Sequence, residues 1–295
     1  MQISQEVLIN FKPKHNFFIG IDSDGCVFDT MELKQKECFI PVTIREWGLQ
    51  AISKYARETA EFVNLYSKWR GVNRFPALVK TFDFLRERIE VQRRQVTIPS
   101  LDSLRNFIDS GAALGNPALG KAVLDSGEET LTIVLKWSKA VNEEIAQMVK
   151  GIPPFPFVRE SLEKASRDMD MIVVSQTPTS ALIREWEENE LDCFPAIIAG
   201  QEMGSKAQHI ALATKGRYIS THILIIGDAP GDLKAAQTNN ALFFPINPGY
   251  EEESWERFYE EGLDRFLNEN YAGTYEYQLC DEFERLLPDI PPWKK

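Results

Sequence analysis

The sequence predicts an α/β protein: a Rossmann-like, doubly wound parallel sheet with an inserted helical domain. Short apolar runs alternate with amphipathic stretches from about residue 155 onward, which is typical of βαβ units. The apolar runs are continuous, as expected for strands that are buried on both faces of a sheet. Residues 30–154 show helical periodicity alone, and they separate the first predicted strand from the others.

Five apolar runs are the predicted strands of this sheet. The first lies at 17–22, before the helical region, and the other four read "DMIVVS", "FPAIIAG", "HILIIGD" and "ALFFPI". Because one strand cannot form a domain, we expect the first to join the later four. The core domain is therefore predicted to be discontinuous, with residues 1–29 and 155–295.

The helical region, residues 30–154, is predicted to form a separate cap domain. Its clearest helix follows Thr130, where apolar residues recur at three- and four-residue spacing, as on one face of a helix: Val134, Trp137, Val141, Ile145 and Met148. Gly151 and the prolines after it are typical helix stop signals. They also suit an exposed link between two domains.

Composition narrows the class of protein. The net charge of −11 over 295 residues argues against a nucleic-acid partner, although it allows a small phosphorylated substrate. The sequence has no apolar window of roughly 20 residues, as a membrane span needs, and no secretory signal, so we expect no membrane partner. Its four cysteines are scattered without a CxxC pair, which favours a reducing, cytoplasmic location. The oligomeric state stays open.

Polar residues stand where the predicted strands end: Asp22, Asp24, Ser175, Lys206, Asp228 and Asp232. Ligands of open parallel sheets bind outside the carboxyl ends of the strands, so we expect these side chains along one edge. Any single aspartate here could equally be a turn residue or a helix cap. Together, however, the carboxylates repel one another, and hard oxygen donors suit Mg²⁺. The sequence therefore predicts a Mg²⁺ cofactor.

Four motifs in this order resemble those of the haloacid dehalogenase (HAD) superfamily. The stretch "DSDGCVFDT" resembles its first motif, "IVVSQTP" its second, "GSKAQHI" its third and "IIGDAPGD" its fourth. The helical insertion after the first motif is similar to the C1-type cap of phosphatases such as phosphoglycolate phosphatase and of β-phosphoglucomutase. Cys26 departs from the pattern, because the family usually has threonine there.

The resemblance implies roles for the motif residues in catalysis. Asp22 would attack phosphorus and form an aspartyl-phosphate, and Asp24 would act as general acid and then general base. Ser175 and Lys206 would contact the phosphoryl oxygens and balance their charge. Since the family's dehalogenases lack the second aspartate, Asp24 favours phosphoryl transfer over dehalogenation.

The resemblance also implies a set of metal-binding residues. Asp22 and Asp228 would be direct ligands, and Asp24 would bind through its backbone carbonyl. Asp232 would act indirectly, by holding a metal-bound water or Lys206 in place.

The stretch "KWRGVNRFPAL" (68–78) resembles the specificity loop of β-phosphoglucomutase-like caps. The predicted substrate-binding residues are Arg70, Asn73, Arg74, Gln176 and Thr177. Arg74 is expected to close over the substrate in the liganded state. The alternative is a plain helix–helix turn with solvated arginines. His209 is expected on a helix surface, without a role.

The sequence thus predicts a Mg²⁺-dependent phosphatase that acts on a small phosphorylated metabolite. One alternative is a phosphomutase of the β-phosphoglucomutase type, which the "RGVNR" stretch favours. Another is a non-catalytic binding module with the same fold, which usually has lost the nucleophile or the metal-binding aspartates. Sugar phosphates, phosphoglycolate and nucleotides all fit a helical cap, so the substrate itself stays open.

Overall fold

The computed structural model describes residues 4–294. This part of the chain forms two compact units. The sheet unit contains residues 4–31 and Gly151–Leu287, and the helical unit contains Glu32–Lys150 and residues 288–294. In the described range, no helix is both long enough and apolar enough to cross a membrane.

The sheet unit is built on five parallel strands. They are β1 (Phe17–Ile21), β2 (Met169–Val174), β3 (Ile197–Ala199), β4 (Ile223–Gly227) and β5 (Leu242–Pro245). Their order is β3-β2-β1-β4-β5, so the first strand joins the later four as predicted, and it lies at the centre. The chain moves outward from β1 to β3 on one side and resumes with β4 on the other. This reversal is where open parallel sheets bind ligands.

Both faces of the sheet are buried. Phe18 and Ile225 contact one apolar cluster, whereas Ile19 and Ile226 contact the other. Successive side chains of a strand point to opposite faces, so a strand between two such clusters must be apolar at every position. This double burial explains the continuous apolar runs and confirms the predicted doubly wound class.

In the described part of the chain, nine α-helices come before Gly151: α1 precedes β1, and the other eight follow it. In chain order they are α1 (Glu6–Ile9), α2 (Thr30–Leu33), α3 (Ile40–Glu46), α4 (Ser53–Leu65), α5 (Arg74–Glu87), α6 (Ile89–Arg93), α7 (Asp102–Asp109), α8 (Asn116–Ser126) and α9 (Glu129–Met148). A π-helical segment, Lys34–Phe39, joins α2 to α3. The predicted apolar face of α9 is buried at Val134, Trp137 and Val141. Near the C-terminal end of the helix Ile145 is half-buried and Met148 is exposed, so the prediction of a buried face is wrong for the last turn.

Seven further helices belong to the sheet unit. They are α10 (Val158–Ala165), α11 (Thr179–Glu188), α12 (Lys206–Thr214), α13 (Pro230–Thr238), α14 (Glu251–Arg257), α15 (Leu263–Leu267) and α16 (Thr274–Leu286). Helices α10, α11, α14 and α15 contribute to one apolar cluster, and α1, α12 and α13 to the other. Helix α16 contributes to both clusters.

The segment after Leu287 lies in the helical unit, whereas the predicted core extends to residue 295. The ring centroid of Trp293 is 5.5 Å from that of Phe62 and 6.4 Å from that of Phe84. The guanidinium of Arg88 lies 4.3 Å from the same indole ring. Asp289 pairs with Lys68 at 3.0 Å. The C-terminal segment is therefore anchored on α4 and α5 by aromatic and ionic contacts.

Candidate active site

Asp22 and Asp228 lie side by side because their strands are neighbours. Asp22 follows β1 directly, Asp228 follows β4 directly, and Ile21 is in register with Ile226. The backbone N of Asp22 donates to the carbonyl oxygen of Ile226 over 3.0 Å, which extends the pairing by one residue. Two carboxylates are thereby placed at the carboxyl edge of the sheet, as the sequence predicts.

Asp232 joins them from the first turn of α13. Its Oδ2 accepts a hydrogen bond from the backbone N of Ala229 over 3.1 Å, which satisfies one of the open amides at the start of that helix. A Cβ atom on Gly227 would overlap the Asp232 side chain. The glycine at the end of β4 is therefore what lets Asp232 approach the sheet.

Three buried carboxylates and one ammonium form the centre of the site. Asp22, Asp228 and Asp232 are at most 4% exposed, and one carboxylate oxygen of each lies within 4.8 Å of the others. Lys206 Nζ is 2.9 Å from Asp22 Oδ2 and 2.5 Å from Asp232 Oδ1. One positive charge therefore faces three acidic groups.

The electrostatics of this cluster show that it has a surplus of negative charge. Burial raises the pKa of Asp22 well above its ordinary value, and it raises the pKa of Asp232, although Lys206 opposes both shifts. Burial disfavours the Lys206 ammonium, but the attraction of Asp22 and Asp232 outweighs this and raises its pKa. A hard divalent cation would relieve the repulsion, and its preferred ligands are carboxylate oxygens. The carboxylates of Asp22, Asp228 and Asp232 therefore suit Mg²⁺ as a ligand set.

Asp24 lies outside the three-carboxylate group, and its side chain is held by hydroxyls. Its Oδ1 accepts from Thr30 Oγ1 over 2.5 Å, and its Oδ2 accepts from Thr177 Oγ1 over 2.6 Å. Among the described residues, the Asp24 carboxylate is not part of the group that Asp22, Asp228 and Asp232 form. Thr30 was missed in the sequence, although it follows Asp29 at the end of the first motif.

The loop after β2 carries Ser175, Gln176 and Thr177. Ser175 is buried, and its Oγ accepts from the backbone N of Thr177 over 3.2 Å. Gln176 Nε2 donates to the carbonyl oxygen of Gly204 over 2.9 Å, so this loop is tied to the loop before α12. The Gln176 side chain is thus engaged with the backbone, whereas the Thr177 hydroxyl donates to Asp24.

Lys206 is placed by the start of α12. Ser205 is the N-cap: its Oγ accepts from the backbone N of Gln208 over 3.3 Å, and Gln208 Oε1 accepts from the backbone N of Ser205 over 2.8 Å. This capping box fixes where the helix begins. As a result, Lys206 occupies the first helical position and faces Asp22 and Asp232.

His209 is fully buried, so the expected surface position is wrong. The buried face of α12 includes His209, Ile210, Ala213 and Thr214, because this helix covers one face of the sheet. Burial, and then the charge of Lys206, lower the pKa of His209 to about 4. The imidazole is therefore neutral at physiological pH.

The three predicted substrate-binding residues of the helical unit have contacts within that unit. Arg70 is buried, and its Nη1 donates to the carbonyl oxygen of Leu65 over 3.0 Å. Asn73 caps α5, since its Oδ1 accepts from the backbone N of Phe75 over 3.0 Å. The alternative of two solvated turn arginines is thus wrong for Arg70.

Among the described residues, the hydrogen-bond acceptors of Arg74 are neutral groups on α9, and none is a carboxylate. Its Nη1 donates to Asn142 Oδ1 over 2.7 Å and to Ser138 Oγ over 3.1 Å. Its guanidinium lies 5.1 Å from the ring centroid of Phe39. Burial lowers the pKa of Arg74 to about 10. A cavity of ≈ 20 Å³ borders this side chain, Phe39 and Trp137.

The chain matches the model of a known protein family. A model described as haloacid dehalogenase-like hydrolase matches residues 92–245, which is more than half of the 295 residues. The chain belongs to the haloacid dehalogenase-like hydrolase family. It is therefore an enzyme of the hydrolase class. No curated protein has a sequence that matches it.

The chain is also similar to several solved structures. A protein from Lactobacillus delbrueckii subsp. bulgaricus, provisionally assigned as a phosphoglycolate phosphatase, is 13% identical over 85% of this chain and 98% of its own, with a TM-score of 0.50. A haloacid dehalogenase-like family hydrolase from Streptococcus pneumoniae is 17% identical over 83% and 90%, with a TM-score of 0.45. A provisionally assigned β-phosphoglucomutase from Thermotoga maritima is 13% identical over 78% and 84%, with a TM-score of 0.40.

The family match covers only part of the site of this haloacid dehalogenase-like hydrolase. Ser175, Lys206, Asp228 and Asp232 lie within the matched residues, whereas Asp22 and Asp24 precede them. The structure brings Asp22 to Lys206 and Asp232. A residue that the family model leaves out thus lies at the centre of the cluster.

Proposed function

We propose that this hydrolase is a Mg²⁺-dependent phosphatase that hydrolyses a small phosphorylated metabolite through an aspartyl-phosphate on Asp22. The position of Asp22 carries the proposal. Its carboxylate is buried, 2.9 Å from the Lys206 ammonium, and beside two further carboxylates. The general acid and base that phosphate esters require is two residues away, at Asp24.

In the first step, an Asp22 oxygen attacks the phosphorus of the bound ester. The new O–P bond forms as the bond to the leaving alcohol breaks, and protonated Asp24 gives its proton to the departing oxygen. In the second step, Asp24 takes a proton from a water molecule that attacks the same phosphorus. Phosphate leaves, and the Asp22 carboxylate is restored.

Lys206 and Ser175 are the proposed partners of the phosphoryl oxygens. The Lys206 ammonium already contacts Asp22, so it lies where negative charge would spread over the transferring group. Ser175 has a hydroxyl at the end of β2, next to Thr177. Mg²⁺, held by Asp22, Asp228 and Asp232 with a backbone contact from Asp24, would neutralise charge and orient the phosphate.

We further propose that residues 30–154 act as a cap that selects the substrate, and that residues 1–29 and 155–287 form the catalytic core, since the segment after Leu287 lies in the helical unit. Arg74 is the preferred candidate among the cap residues, because its partners are neutral and an anionic substrate group would give it a charged one. The Arg70 side chain donates to a backbone carbonyl, and Asn73 caps a helix. Gln176 and Thr177 are the proposed contacts from the core.

The phosphomutase remains the second candidate, with the "RGVNR" stretch in its favour. It would use the same covalent step but pass the phosphoryl group to a second hydroxyl instead of water. The non-catalytic alternative has no support, because the nucleophile and the acidic cluster are present.

A cytoplasmic location remains a proposal, which rests on the free state of Cys26, Cys38, Cys193 and Cys280.

The test is phosphate release from an aryl phosphate by the purified protein, with Mg²⁺ and with a chelator. We expect Mg²⁺-dependent release that Asp22→Asn abolishes. Asp170→Asn is the matched control, because it neutralises another buried aspartate of the sheet, whose Oδ2 accepts from Tyr218 Oη over 2.7 Å. Wild-type turnover in Asp22→Asn would contradict the mechanism. Isomerisation of a sugar phosphate without phosphate release would instead favour the mutase.

A further inference from the structure

Ser23 lies between Asp22 and Asp24 in the chain, and its side chain has two partners on α11. Its Oγ donates to Glu185 Oε2 over 3.3 Å and accepts from Trp186 Nε1 over 3.0 Å. Ser23 and Trp186 are both fully buried. The proton and a lone pair of the hydroxyl are thus both engaged, so its direction is set from two sides.

The backbone of Ser23 organises the DSDG turn, residues 22–28. Its carbonyl oxygen accepts from the backbone N of Cys26, Val27 and Phe28 over 3.3, 2.9 and 3.2 Å. Three amides of the turn therefore converge on one residue. A displacement of Ser23 would move the segment that carries both aspartates.

Neighbouring side chains of the turn are held by different elements. Asp22 contacts Lys206 of α12, and Asp24 contacts Thr30 and Thr177. Ser23 contacts only α11 through its side chain among the hydrogen bonds of the described residues. Unlike the other two contacts, the Ser23 contact involves no group that the proposed reaction changes.

Trp186 is itself fixed in the core. Its ring is packed edge-on against Phe28, with the centroids 5.9 Å apart. Because Phe28 also belongs to the DSDG turn, Trp186 contacts the turn at both ends. A buried indole that is packed in this way can hold a hydroxyl through its N–H group.

We propose that Ser23, held by Trp186 and Glu185, is a positioning residue that fixes the direction from which the Asp22 carboxylate attacks phosphorus. This inference rests on the proposed phosphatase function. In-line attack tolerates little displacement, and a shift of about 1 Å can lower a rate about a hundredfold. Since the Ser23 hydroxyl is fully buried and engaged by Glu185 and Trp186, we do not assign it a contact with substrate. Its loss should therefore lower kcat and leave KM unchanged.

The experiment compares Ser23→Ala and Trp186→Phe with the wild-type enzyme on an aryl phosphate with Mg²⁺. Each substitution should lower kcat about tenfold or more, with KM changed less than about twofold. The double variant should be no slower than the slower single variant, because both remove the same bond. Tyr271→Phe is the matched control: it removes a buried bond of 2.6 Å to the Phe243 carbonyl in the same unit, and it should lower Tm but not kcat.

Wild-type kcat in Ser23→Ala with a lowered Tm would overturn the proposal, and so would a kcat loss of equal size in Tyr271→Phe. If Ser23→Ala does not fold, Glu185→Gln and Glu185→Ala replace it. Gln keeps an acceptor oxygen for the Ser23 hydroxyl and should keep kcat, whereas Ala should lower it; equal kcat in both would overturn the proposal. A wild-type protein that releases no phosphate from any substrate would contradict the proposed function itself.

Discussion

Lys206 Nζ lies 2.9 Å from Asp22 Oδ2 and 2.5 Å from Asp232 Oδ1, so one ammonium bridges the end of β1 and the start of α13. This contact joins the proposed nucleophile to the acidic cluster. It also means that Lys206 has two tasks, because it balances buried charge in the resting protein and would balance phosphoryl charge during the reaction.

Lys206→Met should separate these two tasks. Removing one partner of a buried ion pair typically costs about 3–5 kcal/mol, and we expect a loss of this order in chelator by urea unfolding. Added Mg²⁺ should stabilise this variant more than the wild type, because three carboxylates then lack their ammonium. Turnover should still fall by about 100-fold or more.

The control for this variant is Arg184→Met, which breaks an exposed ion pair with Glu188. Such pairs contribute about 0–1 kcal/mol, so its unfolding and turnover should resemble those of the wild type. A Lys206→Met protein whose stability does not respond to Mg²⁺ would contradict the metal-site assignment.

Thr177→Val should slow the proposed reaction at its acid–base step. The variant keeps the shape of the side chain but removes the hydroxyl that donates to Asp24 Oδ2 over 2.6 Å. We expect kcat/KM to fall about tenfold, as for a lost hydrogen bond to a charged group of about 1.5 kcal/mol. Thr214→Val is the matched control, because it removes a buried hydroxyl on α12 that donates to Ile210 O over 2.7 Å. Equal activity in both variants would contradict a role for Thr177.

Because His209 is buried in its neutral form, we expect the protein to lose stability in mild acid. Its pKa falls from 6.5 in the unfolded chain to about 4 in the folded protein, so the unfolded chain binds more protons between these values. Unfolding free energy should therefore fall as the pH falls from 6.5 to 4, by up to about 3 kcal/mol from this group, since one pKa unit corresponds to about 1.4 kcal/mol.

Urea unfolding of the wild type and His209→Gln at pH 7, 5.5 and 4 tests this. Gln stays neutral throughout, so the stability difference between the two proteins should shift in favour of the variant as the pH falls. Parallel stability curves over this range would show that His209 does not titrate as the structure indicates.

Arg74→Ala tests the proposed cap contact. It should lower kcat/KM for the true metabolite about tenfold or more, consistent with one charge-assisted hydrogen bond of about 1.5–3 kcal/mol. The effect on a small aryl phosphate should be much weaker, because that substrate lacks the distal group. Asn142→Ala, which removes one acceptor of Arg74, serves as the control for packing within the helical unit. Equal losses on both substrates would show that Arg74 serves folding or the core chemistry.

The sequence predicted the sheet and the converging carboxylates because both depend on short-range patterns. A strand that is buried on two faces must be continuously apolar, and its last residue then fixes where Asp22 or Asp228 lies. The contacts among Asp22, Lys206 and Asp232 follow from strand order, which the βαβ pattern limits to few choices.

The environment of single side chains was harder to predict, because it depends on packing across distant elements. Arg70 is part of a turn, where arginine is usually solvated, yet its guanidinium is buried. His209 sits on a helix whose buried face is set by the sheet beneath it. The bonds of Ser23 depend on Trp186, which is 163 residues away in the chain. Neither a period nor a motif signals such a pair.

The packing of Trp293 determines which residues would be needed to transfer the helical unit to another protein. The half-buried indole packs against Phe62 and Phe84 of the helical unit, so the apolar surface of this unit is completed by residues 288–294 rather than by the insertion alone. A graft of residues 32–150 onto another sheet would leave that aromatic surface open to water, and such surfaces promote aggregation. A chimera should therefore carry residues 288–294 as well, supplied in the same chain or as a separate peptide.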